Sequence, residues 1–364
     1  MVEAAPIQEV KVSAYQVPTG TQEADGTLEW SSTTLVLVEI SAANQLGIGY
    51  SYADTATARL IQDKLGPLLL KTDGLATAAR HQDLVRAIRN LGRPGICSMA
   101  LSAVDTALWD LKGRLLDAPV ATLLGAARQS IPVYGSGGFT SYDEHQLRDQ
   151  MRGWIDQGVA MVKMKVGREP SGDLARVQAA RDAIGSEAEL FVDANGAYSR
   201  KQALAMAEGF AENGVTWFEE PVSSDDLAGL QLMCQRAPAG MNISAGEYGY
   251  DLPYFRRILE SQAVDVLQAD ITRCGGVTGF LGVASLCQAH GIPLSCHCAP
   301  ALHVQTACAA VPVVHLEYFH DHVRIEQQFF DGLPRLDQGR LVPDLASPGL
   351  GLHFKHKDAQ AYAI

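Results

Sequence analysis

From Ile131 onward the chain alternates short apolar runs with amphipathic stretches, and seven of those runs end on a polar residue. Lys165, Asp193, Glu219, Glu247, Asp270, His297 and Glu317 recur at intervals of 20–28 residues, the length of one strand–loop–helix unit. Apolar runs at 131–134, 161–166, 190–192, 216–218, 242–244, 264–268, 292–295 and 311–315 read as eight strands separated by helical patterns. Repeated β–α alternation at this period predicts a parallel sheet closed into a barrel more readily than a doubly wound sheet. In a (β/α)8 barrel the strand ends carry the active site. The seven residues all fall there.

The remainder divides around this core. Residues 10–15 and 33–40 have the alternating, β-branched character of antiparallel strands, and 99–116 places Leu101, Val104, Ala107, Leu108 and Leu111 at helical spacing. Between the strands, 18–32 is polar and aperiodic, which predicts a mobile loop. We expect an α/β protein with an α+β capping domain over residues 1–128 and a TIM-like (β/α)8 barrel over 129–320. A C-terminal segment, 321–364, is expected to return to the cap. The length of 364 residues suits a barrel of about 200–250 residues plus a companion domain.

A net charge of −12 disfavours binding to a phosphate backbone, which requires clustered Lys and Arg. No apolar run reaches the roughly 20 residues needed to span a bilayer. The opening MVEAAPIQEV lacks the pattern of a signal peptide. Seven cysteines, an odd number lying mostly in apolar runs, fit free thiols in a reducing compartment, so the expected location is the cytoplasm. Strand alternation would turn Cys296 and Cys298 away from His297. With no CxxC pair elsewhere, a zinc cluster is not expected.

Period two places Lys163 and Lys165 on one strand face, the interior of a barrel. Their mutual repulsion predicts that one is held toward neutrality as a base; the alternative is a solvated strand end. A single Asp at a strand end is usually a helix cap. Asp193, Glu219 and Glu247 on three successive strands instead require a cation, and their all-oxygen donor set suits Mg2+. Asn195 is placed to add an oxygen contact, and Glu220 is expected to face away from Glu219. Asp270 beside His297 would fix the imidazole tautomer and raise its basicity, whereas the alternative for His297 is a satisfied core histidine. A carboxylate held between the metal and Glu317 would offer its weakly acidic α-proton to Lys165 on one side and His297 on the other.

With these motifs in hand, the chain resembles the mandelate racemase subgroup of the enolase superfamily. The resemblance rests on Lys163-Met-Lys165, Asp193-Ala-Asn195, Trp217-Phe-Glu219-Glu-Pro221, Gly246-Glu247, Asp270 through Gly279, Ser295-Cys-His297 and Glu317. It implies one Mg2+ per subunit on Asp193, Glu219 and Glu247. Lys165 and the His297–Asp270 dyad would be opposed bases, Glu317 an electrophile, and Lys163 and Asn195 substrate contacts. It further implies a small-molecule carboxylate substrate, a metal-stabilised enediolate and an even-numbered homo-oligomer such as an octamer. Cycloisomerases with a second lysine at strand 6 are disfavoured, because Asp270 stands there. Between the remaining activities, the polar stretch Thr19, Thr21, Gln22, Glu23, Asp25, Thr27 and Glu29 favours an acid-sugar dehydratase, a lyase. Trp30, Tyr50 and Tyr52 keep a racemase of a 2-hydroxy acid as the alternative.

Overall fold

The structure, a computed structural model, describes residues 4–364. Three antiparallel strands, β1 (Ile7–Ala24), β2 (Glu29–Ala42) and β3 (Gln45–Tyr52), open the chain in the order β1-β2-β3. Helix Ile96–Leu115 packs on this sheet through Ala100, Leu101, Val104, Ala107, Leu108 and Leu111, all fully buried. The approach is close enough that a Cβ on Gly49 would lie 2.3 Å from the carbonyl oxygen of Ala103.

One expectation fails here. Residues 18–32 are not a loop: β1 continues to Ala24, β2 begins at Glu29, and only a tight turn joins them. Ladder pairing of Pro18 with Ser32 and of Glu23 with Trp30 overrides the polar composition, as cross-strand neighbours do when intrinsic propensity is weak. The Asp25 carboxylate fixes the turn, accepting from the backbone N–H of Thr27 at 2.6 Å and of Leu28 at 2.7 Å.

Eight parallel strands follow: β4 (Ile131–Gly137), β5 (Met161–Lys165), β6 (Glu189–Asp193), β7 (Val215–Glu219), β8 (Asn242–Ala245), β9 (Val266–Ala269), β10 (Leu294–Cys296) and β11 (Val313–Phe319). Each pairs with the next, and β11 pairs back to β4, closing the barrel. A helix follows every strand, two of them entered through capping boxes at Asp143/Gln146 and Ser199/Gln202. Alternation sorts the side chains. Val162, Met164, Val192 and Phe218 join the large core between strands and helices, while Tyr134, Phe191, Trp217 and Val266 form a separate cluster in the interior. Lys163 and Lys165 share that inward face.

Helix His320–Phe329, in the segment assigned to the tail, completes the eighth strand–helix unit. Beyond it, a hairpin of 335–337 and 340–342 adds antiparallel to β4 at Ile131. The chain then runs back along the cap, where Leu350 N–H donates to Asp110 at 2.6 Å and Ile364 N–H to Ala14 at 3.1 Å. Among the described residues, no helix is long and apolar enough to cross a membrane.

Candidate active site

The barrel register aligns the acidic and basic strand ends. Lys165 lies opposite Asp193, and Asp193 opposite Glu219, as direct ladder partners on β5, β6 and β7. Glu247 follows β8, Asp270 follows β9, His297 follows β10, and Glu317 lies within β11. All seven residues converge on one end of the barrel. Every one of them is at least 94% buried, Lys165 being the most exposed at 6%.

Ligand oxygens of Asp193, Glu219 and Glu247 lie within 4.8 Å of one another. Burial, then the charge on Asp193, pushes the Glu219 carboxyl up to about 8. Confining several carboxylates in a low-dielectric pocket is costly, and a divalent cation removes that cost. Two buried oxygens nearby also lack hydrogen-bond partners: Oδ1 of Asn195 and Oε1 of Glu220. Hard oxygen donors with unused lone pairs fit Mg2+. Glu219 is held in place from behind by Lys163 Nζ at 2.7 Å, Gln268 Nε2 at 2.9 Å and Trp217 Nε1 at 3.1 Å.

The lysines differ from expectation. Burial lowers both, and Lys163 lowers Lys165 as anticipated, but the surrounding carboxylates win and both are raised. Lys165 bonds to Asp193, and Lys163 Nζ sits 2.8 Å from Glu317 and 5.2 Å from the Tyr134 ring centre. A cation shared by Asp193 would weaken the carboxylate's hold on Lys165, returning the ammonium toward the range in which it can act as a base.

Across the barrel, His297 Nδ1 lies 2.9 Å from Asp270 Oδ2, which fixes the ring and directs Nε2 inward. Nε2 lies 3.1 Å from Glu247 and 3.7 Å from Glu317. Arg273, which carried no sequence signal, sits 3.5 Å from Asp270 and 3.7 Å from Glu247. One further expectation is corrected, at Cys298. Glu220, expected to face away from Glu219, takes φ of 38° and is buried outside the cavity lining. Cys298 likewise takes φ of 54°. Its thiol turns inward to 3.3 Å from His297 Nε2 and 3.4 Å from Glu317 Oε2.

A cavity of about 400 Å³ stands over these groups, lined by Lys165, Asn195, Glu247, His297, Cys298 and Glu317 on the barrel side. Asp193, Glu219 and Lys163 lie beneath that wall, fully buried. The cap supplies Asp25, Leu28, Trp30, Ser32, Thr33, Thr34 and Tyr52. Of the polar residues read as substrate-facing, only Asp25 reaches the cavity. Glu23 is spent on the Trp30 indole at 3.0 Å. Tyr50 is a β3 residue bonded to Glu326 at 2.6 Å, outside the cavity.

The closed barrel and its acid cluster define an enzyme of the enolase type, built to hold Mg2+ at the strand ends. Residues 7–125 match the mandelate racemase/muconate lactonizing enzyme N-terminal domain, and 146–359 match the enolase C-terminal domain-like family. The chain belongs to the mandelate racemase/muconate lactonizing enzyme family of the enolase superfamily.

It is similar to arabinonate dehydratase of Saccharolobus solfataricus, at 30% identity over 87% of each chain. Similarity to 3,6-anhydro-alpha-L-galactonate cycloisomerase of Streptomyces coelicolor is also 30%, over 87% of this chain and 88% of the other. A mandelate racemase/muconate lactonizing enzyme-like protein from Rubrobacter xylanophilus superposes with TM-score 0.97 at 50% identity, covering 99% of this chain and all of that one. Two further solved relatives carry ligands. The Salmonella typhimurium L-talarate/galactarate dehydratase holds Mg and L-lyxarohydroxamate (TM-score 0.89, 27% identity, 99% and 93% covered). A Bradyrhizobium enolase holds magnesium and mandelic acid (TM-score 0.91, 26% identity, both chains fully covered).

Proposed function

We propose that this site removes the α-proton of a carboxylate and that the reaction is dehydration of an acid sugar to a 2-keto-3-deoxy acid. One observation carries the reading: two basic side chains, Lys165 and His297, line the same cavity with Glu247 and Glu317 beside them. Asp193, Glu219 and Glu247 would hold Mg2+, which supplies positive charge against the carboxylate as negative charge builds on it. Lys165 or His297 takes the α-proton, and the other base delivers a proton to the departing β-hydroxyl. Asp270 keeps Nε2 as the reacting nitrogen. Glu317, anchored by Lys163, faces the substrate carboxylate and donates a hydrogen bond to it only when it carries a proton. Asn195 contributes its free amide oxygen at the cavity wall.

The lining also favours a monocarboxylic substrate. Away from the strand ends it presents Asp25, Asp54, Asp321 and the hydroxyls of Ser32, Thr33 and Thr34, while its cations, Lys165 and Arg273, sit among the site acids. A second carboxylate at the distal end would meet like charge, whereas a polyol chain would meet hydrogen-bonding groups. We therefore infer an aldonic acid over an aldaric one. An even-numbered homo-oligomer in the cytoplasm completes the reading.

Trp30, packed edge-on against Phe139 at 5.6 Å, supports racemisation of an aryl 2-hydroxy acid as the second reading. A screen of aldonic and aldaric acids for 2-keto products distinguishes the two. Conversion of at least one aldonate is expected; racemised 2-hydroxy acid without any dehydration would overturn the proposal.

A further inference from the structure

Two groups of the proposed chemistry, His297 Nε2 and Glu317 Oε2, meet a third potential metal ligand, Cys298 Sγ, at the cavity wall. Their separations are 3.3 Å (N···S), 3.4 Å (S···O) and 3.7 Å (N···O). A tetrahedral zinc ion, with Zn–S of about 2.3 Å and Zn–N and Zn–O of about 2.0–2.1 Å, holds its ligands roughly 3.3–3.6 Å apart. The triangle matches to within a few tenths of an ångström.

Its surroundings resemble those of a built metal site. Asp270 accepts from the far nitrogen of His297, the carboxylate–histidine pairing that orients a metal-bound imidazole. Lys163 engages Oε1 of Glu317 at 2.8 Å, while Oε2 lies on the cysteine side, where it also accepts from the Cys298 N–H at 3.0 Å. Positive φ at Cys298 and Ala299, 54° and 41°, turns the thiol into the barrel mouth. All three residues line the cavity, so an ion can reach them and a fourth position stays open.

We propose that His297, Cys298 and Glu317 form a second metal site, selective for a soft divalent ion such as Zn2+ and adjacent to the all-oxygen Mg2+ cluster, whose Glu247 lies 3.1 Å from His297 Nε2. A sulfur–nitrogen–oxygen set favours Zn2+ over Mg2+. Binding releases the thiol proton to solvent and involves no redox change. Occupancy occupies the nitrogen that the proposed function assigns to proton transfer, so Zn2+ at this site inhibits; that consequence rests on the proposed function, while the binding itself does not.

The binding test uses Co2+ as a spectroscopic stand-in, titrated into the full-length protein in excess Mg2+. One equivalent producing a thiolate-to-cobalt charge-transfer absorption is expected, abolished in Cys298→Ser and in His297→Asn. Retained Mg2+-dependent thermal stabilisation shows that each variant is folded. No charge-transfer band in the wild type, or the same band in Cys298→Ser, overturns the site. Once a substrate is in hand, Zn2+ should inhibit the wild type at a concentration at least tenfold lower than Cys298→Ser, each referred to its own uninhibited rate. Equal inhibition would place Zn2+ on the Asp193 cluster and overturn the inhibitory role. If no acid sugar is turned over, the cobalt spectrum still decides whether the site exists.

Discussion

Gln268 shows how far the chemistry extends beyond the groups that carry it. It is a neutral, fully buried side chain at the centre of the barrel, and its amide donates to Glu219 Oε2 at 2.9 Å. Partners of this kind orient a metal-binding carboxylate, and their loss commonly weakens metal affinity about 10–100-fold. Gln268→Leu is expected to raise the Mg2+ dissociation constant by that factor, measured by calorimetry, with activity recovering at high Mg2+. An unchanged constant would mean that Lys163 and Trp217 position Glu219 without help. At this scale legibility depended on alternation. Lys163, Lys165, Asp193 and Glu219 follow the period-two rule to the last strand residue, and the rule predicts their common face. Glu220 and Cys298 lie one and two residues past the ends of their strands, at φ of 38° and 54°. Nothing in an L-residue's identity announces a left-handed turn. Arg273 was hidden for a different reason: its partners, Asp270 and Glu247, come from two separate strand ends.

The β1–β2 hairpin supplies much of the cap side of the cavity over the strand ends. Thr140 grips its tip, donating its hydroxyl to Asp25 O at 2.7 Å and its N–H to Ala24 O at 2.8 Å. Thr33 bonds to Asp321 on the helix after β11. At the turn, a Cβ on Gly26 would fall 2.4 Å from Ala194 O and 2.7 Å from Val166 O, both backbone atoms at strand ends. Neither can move aside cheaply. Gly26→Ala is therefore expected to lift the tip and lower kcat/KM by up to about 10²-fold, the cost of misplacing a bound substrate by an ångström. The thermal midpoint should change little, because the tip lies outside both large cores. Unaltered kinetics would show that the tip does not shape the cavity. This hairpin was the largest misreading of the sequence. Its residues are polar and aperiodic, and it is their pairing with one another across the turn that makes them extended.

Cap and barrel are joined as one molecule by a buried contact. The Tyr50 hydroxyl of β3 donates to Glu326 at 2.6 Å, and Ala301 N–H donates to the same carboxyl at 3.2 Å. Burial pushes Glu326 up to about 8, against the lowering effect of those two hydrogen bonds. Because the folded pKa exceeds the unfolded value of 4.5, the fold favours the protonated form. Its contribution is fully present below about pH 4.5 and is lost as the pH rises through about 8. Glu326→Gln, which mimics the neutral acid, should leave the thermal midpoint unchanged at pH 4 and raise it by a few degrees at pH 9, at about 2–4 °C per kcal/mol. Equal shifts at both pH values would contradict the assignment.

The barrel itself was legible at molecular scale because every β–α unit repeats the same period. The cap's docking was not, since Tyr50 and Glu326 stand far apart in a sequence that gives no sign of their meeting. The central claim is that Lys165 and His297 flank one bound α-carbon from opposite sides, so that one takes its proton while the other stands beside the leaving group, and α-proton exchange in D2O measures this directly. With Mg2+ and a substrate from the acid-sugar screen, Lys165→Ala and His297→Asn should each retain exchange on one face only, and on opposite faces. Loss of all exchange in both variants, or wild-type exchange that persists after EDTA treatment, would contradict it.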